Sequence, residues 1–273
     1  MAPDPYLHGH SDAVMKSHTW RTVENSAPHL IPHLAAGLSL LDVGCGPGTI
    51  TVDLAHRVAP GNVVGFDVAD DVIDRANGLL AEPDAPGNCT FRTDDVYAIE
   101  APDATFDIVH AHQVLQHLTD PVAALREMGR VLKPGGLLAV RDADYGGMTW
   151  APPTPEIDDW MAIYQATAAE QGSQPDAGRY LLGWVQEAGF VDIVTTVDVW
   201  TFATPADRAW WGDLWADRVE NSSFATHALA QNRADEAELA RIAAGWRRWI
   251  EEPSGFFACP NGQIIARTPE GET

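Results

Sequence analysis

The stretch Leu41-Asp42-Val43-Gly44-Cys45-Gly46-Pro47-Gly48-Thr49 constrains this chain more than any other. A short apolar run over residues 38–43 stops at three glycines set one residue apart, and a helical stretch follows from about Thr49 to Val58. A run of this kind reads as a strand buried on both faces, the habit of parallel sheets. Glycines after such a strand let the chain turn tightly and let a ligand approach the backbone. A G-x-G-x-x-G loop would hold a pyrophosphate on the helix N-terminus. This loop is G-x-G-x-G, and Asp42 precedes it. An acid there repels a pyrophosphate and suits an ammonium group.

Further strands are expected at Asn62 to Phe66, Cys89 to Arg92, Phe106 to Ala111 and Leu137 to Arg141. Helices are expected from Asp70 to Leu80 and from Pro121 to about Leu132. Asp120-Pro121 starts the second, since a polar cap before proline is a helix-start signal. Strands alternating with helices predict a doubly wound parallel sheet. After Tyr145 the regularity breaks. Helices are expected at about Ile157 to Gln171, Tyr180 to Ala188 and within 205–251, with strands at Val191 to Phe202 and about Phe256 to Arg267. The expectation is a Rossmann-like α/β fold with seven strands and helical cap insertions. It divides into an N-terminal helical segment (1–37), a cofactor-binding core (38–145), and cap helices with the last strands (146–273).

Asp67-Val68 ends the second strand, about 20 residues past the loop, where a carboxylate suits the two hydroxyls of a ribose. With Asp42, Gly44, Gly46 and Gly48, it completes a set that resembles the class I S-adenosylmethionine-dependent methyltransferases, most closely the ubiquinone/menaquinone-biosynthesis-like group. Asp95-Val96 matches the pair that holds the adenine in that family; of the doublet Asp94-Asp95, Asp95 is chosen. Phe106-Asp107-Ile108-Val109 with His117-Leu118 resembles the fourth-strand motif. Arg130-Val131-Leu132-Lys133-Pro134-Gly135-Gly136 resembles the turn before the fifth strand. The resemblance implies S-adenosylmethionine as cofactor and adds His110 to its site. The leader Tyr6-Leu7-His8-Gly9-His10-Ser11 and His18-Thr19-Trp20-Arg21-Thr22 resembles that of an actinobacterial and fungal subgroup. Arg21 is either a partner for the cofactor carboxylate, which guanidinium geometry suits, or a surface arginine.

Nine of the ten tryptophans lie at or after Trp150, in the expected cap. Trp211 and Trp215 share a helical face, and Trp210 sits with Leu214 on a neighbouring one; these rings either pack the cap or line a pocket. A weaker resemblance joins Glu170, Trp210 and the tryptophan-rich half to a bacterial geranyl diphosphate C-methyltransferase. It implies methyl addition to an isoprenoid double bond, with Trp210 facing a carbocation and Glu170 removing a proton. Read from its helix alone, Glu170 is either that base or a solvated helix-end carboxylate. The diphosphate would bring Mg²⁺, with no DDxxD-like motif to hold it. Tyr164, Arg179, His112 and Gln113 are candidate substrate residues. The alternative is O- or C-methylation of a phenol or quinol, for which His8, His10, His110, His112 and His117 supply candidate bases. A third reading is a cofactor-binding sensor or scaffold that is not an enzyme.

Charge narrows the partners. Aspartate and glutamate number 39 against 17 lysines and arginines, a net charge of -22. Such a surface repels phosphate backbones and anionic membranes, so neither nucleic acid nor membrane is expected. A small-molecule substrate is, and a homo-oligomer is left open. No basic or apolar leader opens the sequence. Cys45, Cys89 and Cys259 lie far apart with no zinc spacing, which points to reduced thiols in a cytoplasmic protein.

Overall fold

The computed structural model describes residues 19–271. After a one-turn helix α1 (Val23–Ser26), the chain alternates β1 (Leu40–Val43), α2 (Thr49–Val58), β2 (Val63–Asp67), α3 (Asp70–Leu79), β3 (Cys89–Thr93), β4 (Phe106–His112), α4 (Pro121–Val131) and β5 (Leu132–Ala143). A three-residue strand β6 (Thr149–Ala151) precedes α5 (Pro155–Glu170), α6 (Ala177–Glu187), β7 (Val191–Phe202), α7 (Pro205–Asn221), α8 (Ser223–Ala230), α9 (Glu236–Ile250) and β8 (Phe256–Arg267).

The sheet runs β3-β2-β1-β4-β5-β8, with β7 on the outer edge of β8. β1 to β5 are mutually parallel, and β8 is antiparallel to β5 and β7. Phe257 and Ala258 pair with β7 on one side and with β6 on the other, so β6 prolongs the edge that β5 begins. The expected seven strands are all present, and β6 is an eighth that the proline-rich segment concealed. β5 also starts earlier than expected. Leu132 pairs with Phe106 and Leu137 with Ile108, so the Lys-Pro-Gly-Gly turn bulges between two rungs of one strand.

Local chemistry explains the helix starts. Asp120 accepts a hydrogen bond from the Ala123 amide at 2.9 Å, with Pro121 in the first helical position. Thr204 and Asp207 form a reciprocal capping box at the start of α7. The expected N-terminal helical segment is corrected over 20–37, where only α1 and one 3-10 turn are helical. Pro28 and Pro32 interrupt any longer helix there, since proline lacks the amide a helix interior needs.

Two apolar layers cover the faces of the sheet. A third core lies in the cap, where Trp160, Trp211, Trp215, Trp246, Trp249, Tyr164 and Phe257 pack together. Among the described residues, no helix is long and apolar enough to cross a membrane.

Candidate active site

The carboxyl ends of β1 to β5 open into one cavity of about 460 Å³, closed by α7 and the edge strands, within the size range of small-molecule sites. A site at strand carboxyl ends is the rule for open α/β sheets. Asp42, Gly44, Cys45, Gly46, Phe66, Asp67, Val68, Asp95 and Val96 line one part of it. Tyr145, Met148, Trp200, Trp210, Trp211, Trp215 and Arg218 line the other, and Trp20 and Arg21 also reach the wall.

The loop is tightly packed and tied to its neighbours. Gly44 has φ +61°, and a Cβ there would lie 2.5 Å from Val114 Cγ2. The Gly46 amide donates to Asp67 Oδ2 at 3.1 Å, which ties the turn to the end of β2. Gly48 is corrected: it caps α2 at φ +86°, and a Cβ would strike the Phe91 ring at 2.6 Å. It lies outside the cavity lining, so packing rather than cofactor contact demands a glycine there.

Asp42 is buried under the loop. Thr51 donates to its Oδ2 at 2.5 Å, and His110 Nδ1 meets its Oδ1 at 2.7 Å. Asp42 therefore brings its charge to the cavity floor while bracing the loop. His110 is corrected: it is fully buried behind Asp42 and does not line the cavity. The acidic doublet separates cleanly. Asp94 is engaged by Arg92 and by the amides of Asp95 and Glu100. Asp95 is the exposed member and holds the Tyr97 amide at 2.9 Å.

Arg21 donates to Gln113 Oε1 at 2.5 Å, and Gln113 donates in turn to Asn261 Oδ1 at 3.3 Å. Gln113 sits at φ +54°, a left-handed conformation that is uncommon for a residue with a side chain. His112 also lines the cavity, yet Arg141 Nη1 lies 2.8 Å from its Nε2. A guanidinium only donates, so Nε2 accepts and the imidazole proton sits on Nδ1. Burial, then the charges of Arg21 and Arg141, hold the His112 pKa well below its ordinary value. As a general base His112 is corrected: it is a neutral imidazole whose acceptor nitrogen is taken. Arg141 itself is fully buried, paired with Asp198 at 3.0 Å and centred 4.5 Å from the Trp200 ring. His117 lines the cavity too, and burial pushes its pKa down to about 3.

Three further expectations are corrected. Glu170 ends α5 with its side chain 49% exposed, paired to Arg233 at 3.0 Å, and takes no part in the cavity. In the last turn of the helix Thr167 and Ala168 are buried, while Ala169 and Glu170 fall on its solvent side. Arg179 is bound up with Asp144 and Asp176 outside the cavity, where those carboxylates hold it as a surface cluster. Tyr164 is absent from the cavity lining and stacks on Tyr145, the two ring centroids 4.3 Å apart, while Tyr145 itself lines the cavity. Trp210 does line it, stacked against Phe202 and tilted against Trp20. His8 and His10 lie outside the described residues. Among the described residues, no three His, Cys, Asp or Glu side chains are grouped to hold a metal ion.

The reading of the sequence missed Tyr145, Trp200 and Arg218. Tyr145 directly follows the carboxyl end of β5, the place where ligands meet such sheets. Arg218 is three residues past Trp215 and seven past Trp211, so helical spacing alone puts it on their face.

Two outcomes follow for measurement. Glu170→Gln is expected to keep wild-type turnover and a stability within about 0.5 kcal/mol, since exposed ion pairs contribute little; loss of turnover at unchanged fold contradicts the placement. The pH dependence has a definite sign. His29, His112 and His117 have pKa values depressed by burial, so below about pH 6.5 the unfolded chain takes up protons that the folded chain refuses. Asp142, buried and raised to about 7, opposes them, because its folded form keeps a proton as the pH falls. Three groups against one predict a lower melting temperature at pH 5.5 than at pH 7.5; an unchanged or higher one contradicts this.

Comparisons with known proteins give the family and the fold. Residues 34–189 match the family described as methyltransferase domain. An uncharacterized methyltransferase of Schizosaccharomyces pombe is 36% identical over 97% of both chains. A 2-methyl-6-phytyl-1,4-hydroquinone methyltransferase of Synechocystis is 30% identical over 72% of this chain and 59% of its own length. The solved structure of the YcgJ protein from Bacillus subtilis shares the fold, with a TM-score of 0.60 at 19% identity over 91% of this chain and all of its own.

Proposed function

This chain belongs to the methyltransferase domain family and is an S-adenosylmethionine-dependent enzyme, and from that premise we propose that it methylates a hydrophobic phenol or quinol. The observation that carries the proposal is the division of one cavity into an aspartate-lined half and an aromatic half.

The aspartate-lined half has the donor set a sulfonium amino acid nucleoside needs. Gly44 presents bare backbone to the cavity, and Asp42 places negative charge near an ammonium group. Asp67 ends β2 where a carboxylate meets ribose hydroxyls, and Arg21 offers a guanidinium to a carboxylate. Asp95 with Val68 and Val96 would hold the base, the acid by hydrogen bonding and the valines by apolar contact. When bound, S-adenosylmethionine supplies an electrophilic methyl group to an in-line nucleophile.

The aromatic half receives the acceptor. Trp200, Trp210, Trp211, Trp215 and Tyr145 exclude water and orient a flat molecule by their faces. The lining imidazoles are poor proton acceptors, since burial depresses both His112 and His117. That favours an acceptor which ionises itself or has an electron-rich ring, as phenols and quinols do. The hydroquinone named in the Synechocystis relative is of this class.

C-methylation of an isoprenoid diphosphate such as geranyl diphosphate is the second reading, favoured by Trp210 in the cavity wall. It lacks its base, because Glu170 faces solvent beside Arg233. A mass-spectrometric screen with labelled cofactor against phenols, quinols and prenyl diphosphates, with and without EDTA, separates the two. Label in a phenol or quinol, indifferent to EDTA, is expected. Label only in a prenyl diphosphate, and lost with EDTA, overturns the proposal.

A further inference from the structure

Two side chains of the cavity wall, Trp200 and His112, touch the same buried cation. Arg141 comes from β5, is fully buried and does not itself line the cavity. Its guanidinium carbon lies 4.5 Å from the centre of the Trp200 ring, and its Nη1 donates to His112 Nε2 at 2.8 Å. Its ion pair is with Asp198, at 3.0 Å. Burial pulls its pKa down to about 10, so it stays a cation at neutral pH. Arg141 is thus a paired charge, and what reaches the cavity is its field.

The pair does not cancel. The Asp198 side chain is 39% exposed, where water screens it, whereas the guanidinium is wholly enclosed. Two other acids near Arg141 carry less than a full charge at neutral pH. Burial pushes the Cys259 thiol up to about 12 and Asp142 up to about 7. The nearby imidazoles of His112 and His29 are held neutral, chiefly by burial. A positive potential is left at Trp200 and His112, opposite in sign to that of Asp42, Asp67, Asp94 and Asp95 along the same cavity. The face of the Trp200 ring already serves a guanidinium, so it has less to give a second cation.

We propose that Arg141 is a specificity-determining residue, acting through Trp200 and His112 to select a methyl acceptor bound as an anion, a phenolate or quinolate. The proposal rests on the reading that the aromatic half of the cavity takes a phenol or quinol. On binding, the O–H bond of the acceptor breaks, its electron pair stays on oxygen and the proton passes to water. A nearby opposite charge favours the ionised form of an acid, and no protein base is called for. Acceptors that carry positive charge, such as protonated amines, are disfavoured at the same wall.

Absorbance titration of 4-nitrophenol, whose phenolate is coloured, tests this with the full chain saturated with S-adenosylhomocysteine. In the wild type the bound probe is expected to ionise about one pH unit below the free probe in the same buffer. Arg141→Lys, which keeps a charge, should retain at least half of that shift, and Arg141→Met should reduce it to under about 0.3 unit. Asp198→Asn, which removes the counter-charge, should enlarge it. An arginine that only packs the wall would leave the ionisation of the bound probe unmoved by its charge, and Lys and Met would behave alike. A wild-type shift that is absent or upward, or a full shift kept by Arg141→Met, overturns the proposal. Should Arg141→Met fail to fold, the wild-type shift and Asp198→Asn decide it, and a shift that Asp198→Asn leaves unchanged or smaller overturns it. A wild type to which 4-nitrophenol does not bind would instead overturn the underlying reading of the cavity.

Discussion

Asp67→Ala is expected to weaken S-adenosylhomocysteine binding about a hundredfold while the chain stays folded. Two charge-assisted hydrogen bonds to ribose hydroxyls account for that size, at about 1.5–3 kcal/mol each against about 1.4 kcal/mol per decade. A second contribution acts through the loop. Asp67 accepts from the amides of Gly46 and Ala69, so its loss also frees the turn that the ligand approaches. Asp67→Asn separates the two effects. It keeps an acceptor for the Gly46 amide but loses the charge, and should fall between the wild type and alanine. Calorimetry measures the affinity and a thermal melt the fold. An affinity within threefold of wild type in Asp67→Ala would place the ribose elsewhere.

Trp160→Ala is expected to destabilise the protein by about 3–5 kcal/mol, the range for deleting a large buried aromatic side chain. Trp160 is fully buried at the centre of the cap, within ring contact of Trp215, Trp246, Tyr145, Tyr164 and Phe257. Its indole N–H has no hydrogen-bond partner among the described residues. Trp160→Phe therefore forfeits packing alone and should cost well under half as much. At about 2–4 °C per kcal/mol for a chain near this size, the alanine variant should melt on the order of 10 °C lower. A drop below about 3 °C would show that the cap core can collapse around the gap. Because Tyr145 and Trp215 line the cavity and lean on Trp160, turnover should fall in the alanine variant even at temperatures where it is folded.

The aspartate-lined half of the cavity was legible in the sequence because it is written locally. A strand, a glycine loop and a helix occupy consecutive residues, Asp67 is the last residue of β2, and Asp95 lies two residues past β3. Their chemistry follows from position, so Asp42, Gly44, Gly46, Asp67 and Asp95 were all found at the cavity. Gly48 and His110 were misplaced by the same locality. Both sit within motif stretches, but one serves the packing of Phe91 and the other braces Asp42. Spacing along a chain does not distinguish a wall from its buttress.

The aromatic half of the cavity is assembled from distant segments, and there the sequence was a poorer guide. Glu170 ends an apolar helix, and only the tertiary packing shows that its side chain meets Arg233 and solvent rather than the indoles. Tyr164 belongs to the buried face of α5, where it stacks on Tyr145, and it is Tyr145 that lines the cavity. Arg179 is held by two aspartates, one of them 35 residues away in sequence, which no local pattern announces. The arginine that does line the cavity, Arg218, lay on a helical face already singled out for its tryptophans. An arginine in a helix is ordinarily a surface residue, so its sequence context alone does not mark it as buried.

The central claim is that this cavity holds the sulfonium donor in one orientation. A crystal structure of the protein with S-adenosylhomocysteine tests it most directly. The account predicts the amino acid end beside residues 44–47, the ribose on Asp67 and the base between Val68 and Asp95-Val96, with the sulfur facing the indoles. A nucleoside found with its base among Trp200, Trp211 and Trp215, or bound outside the cavity, would contradict it.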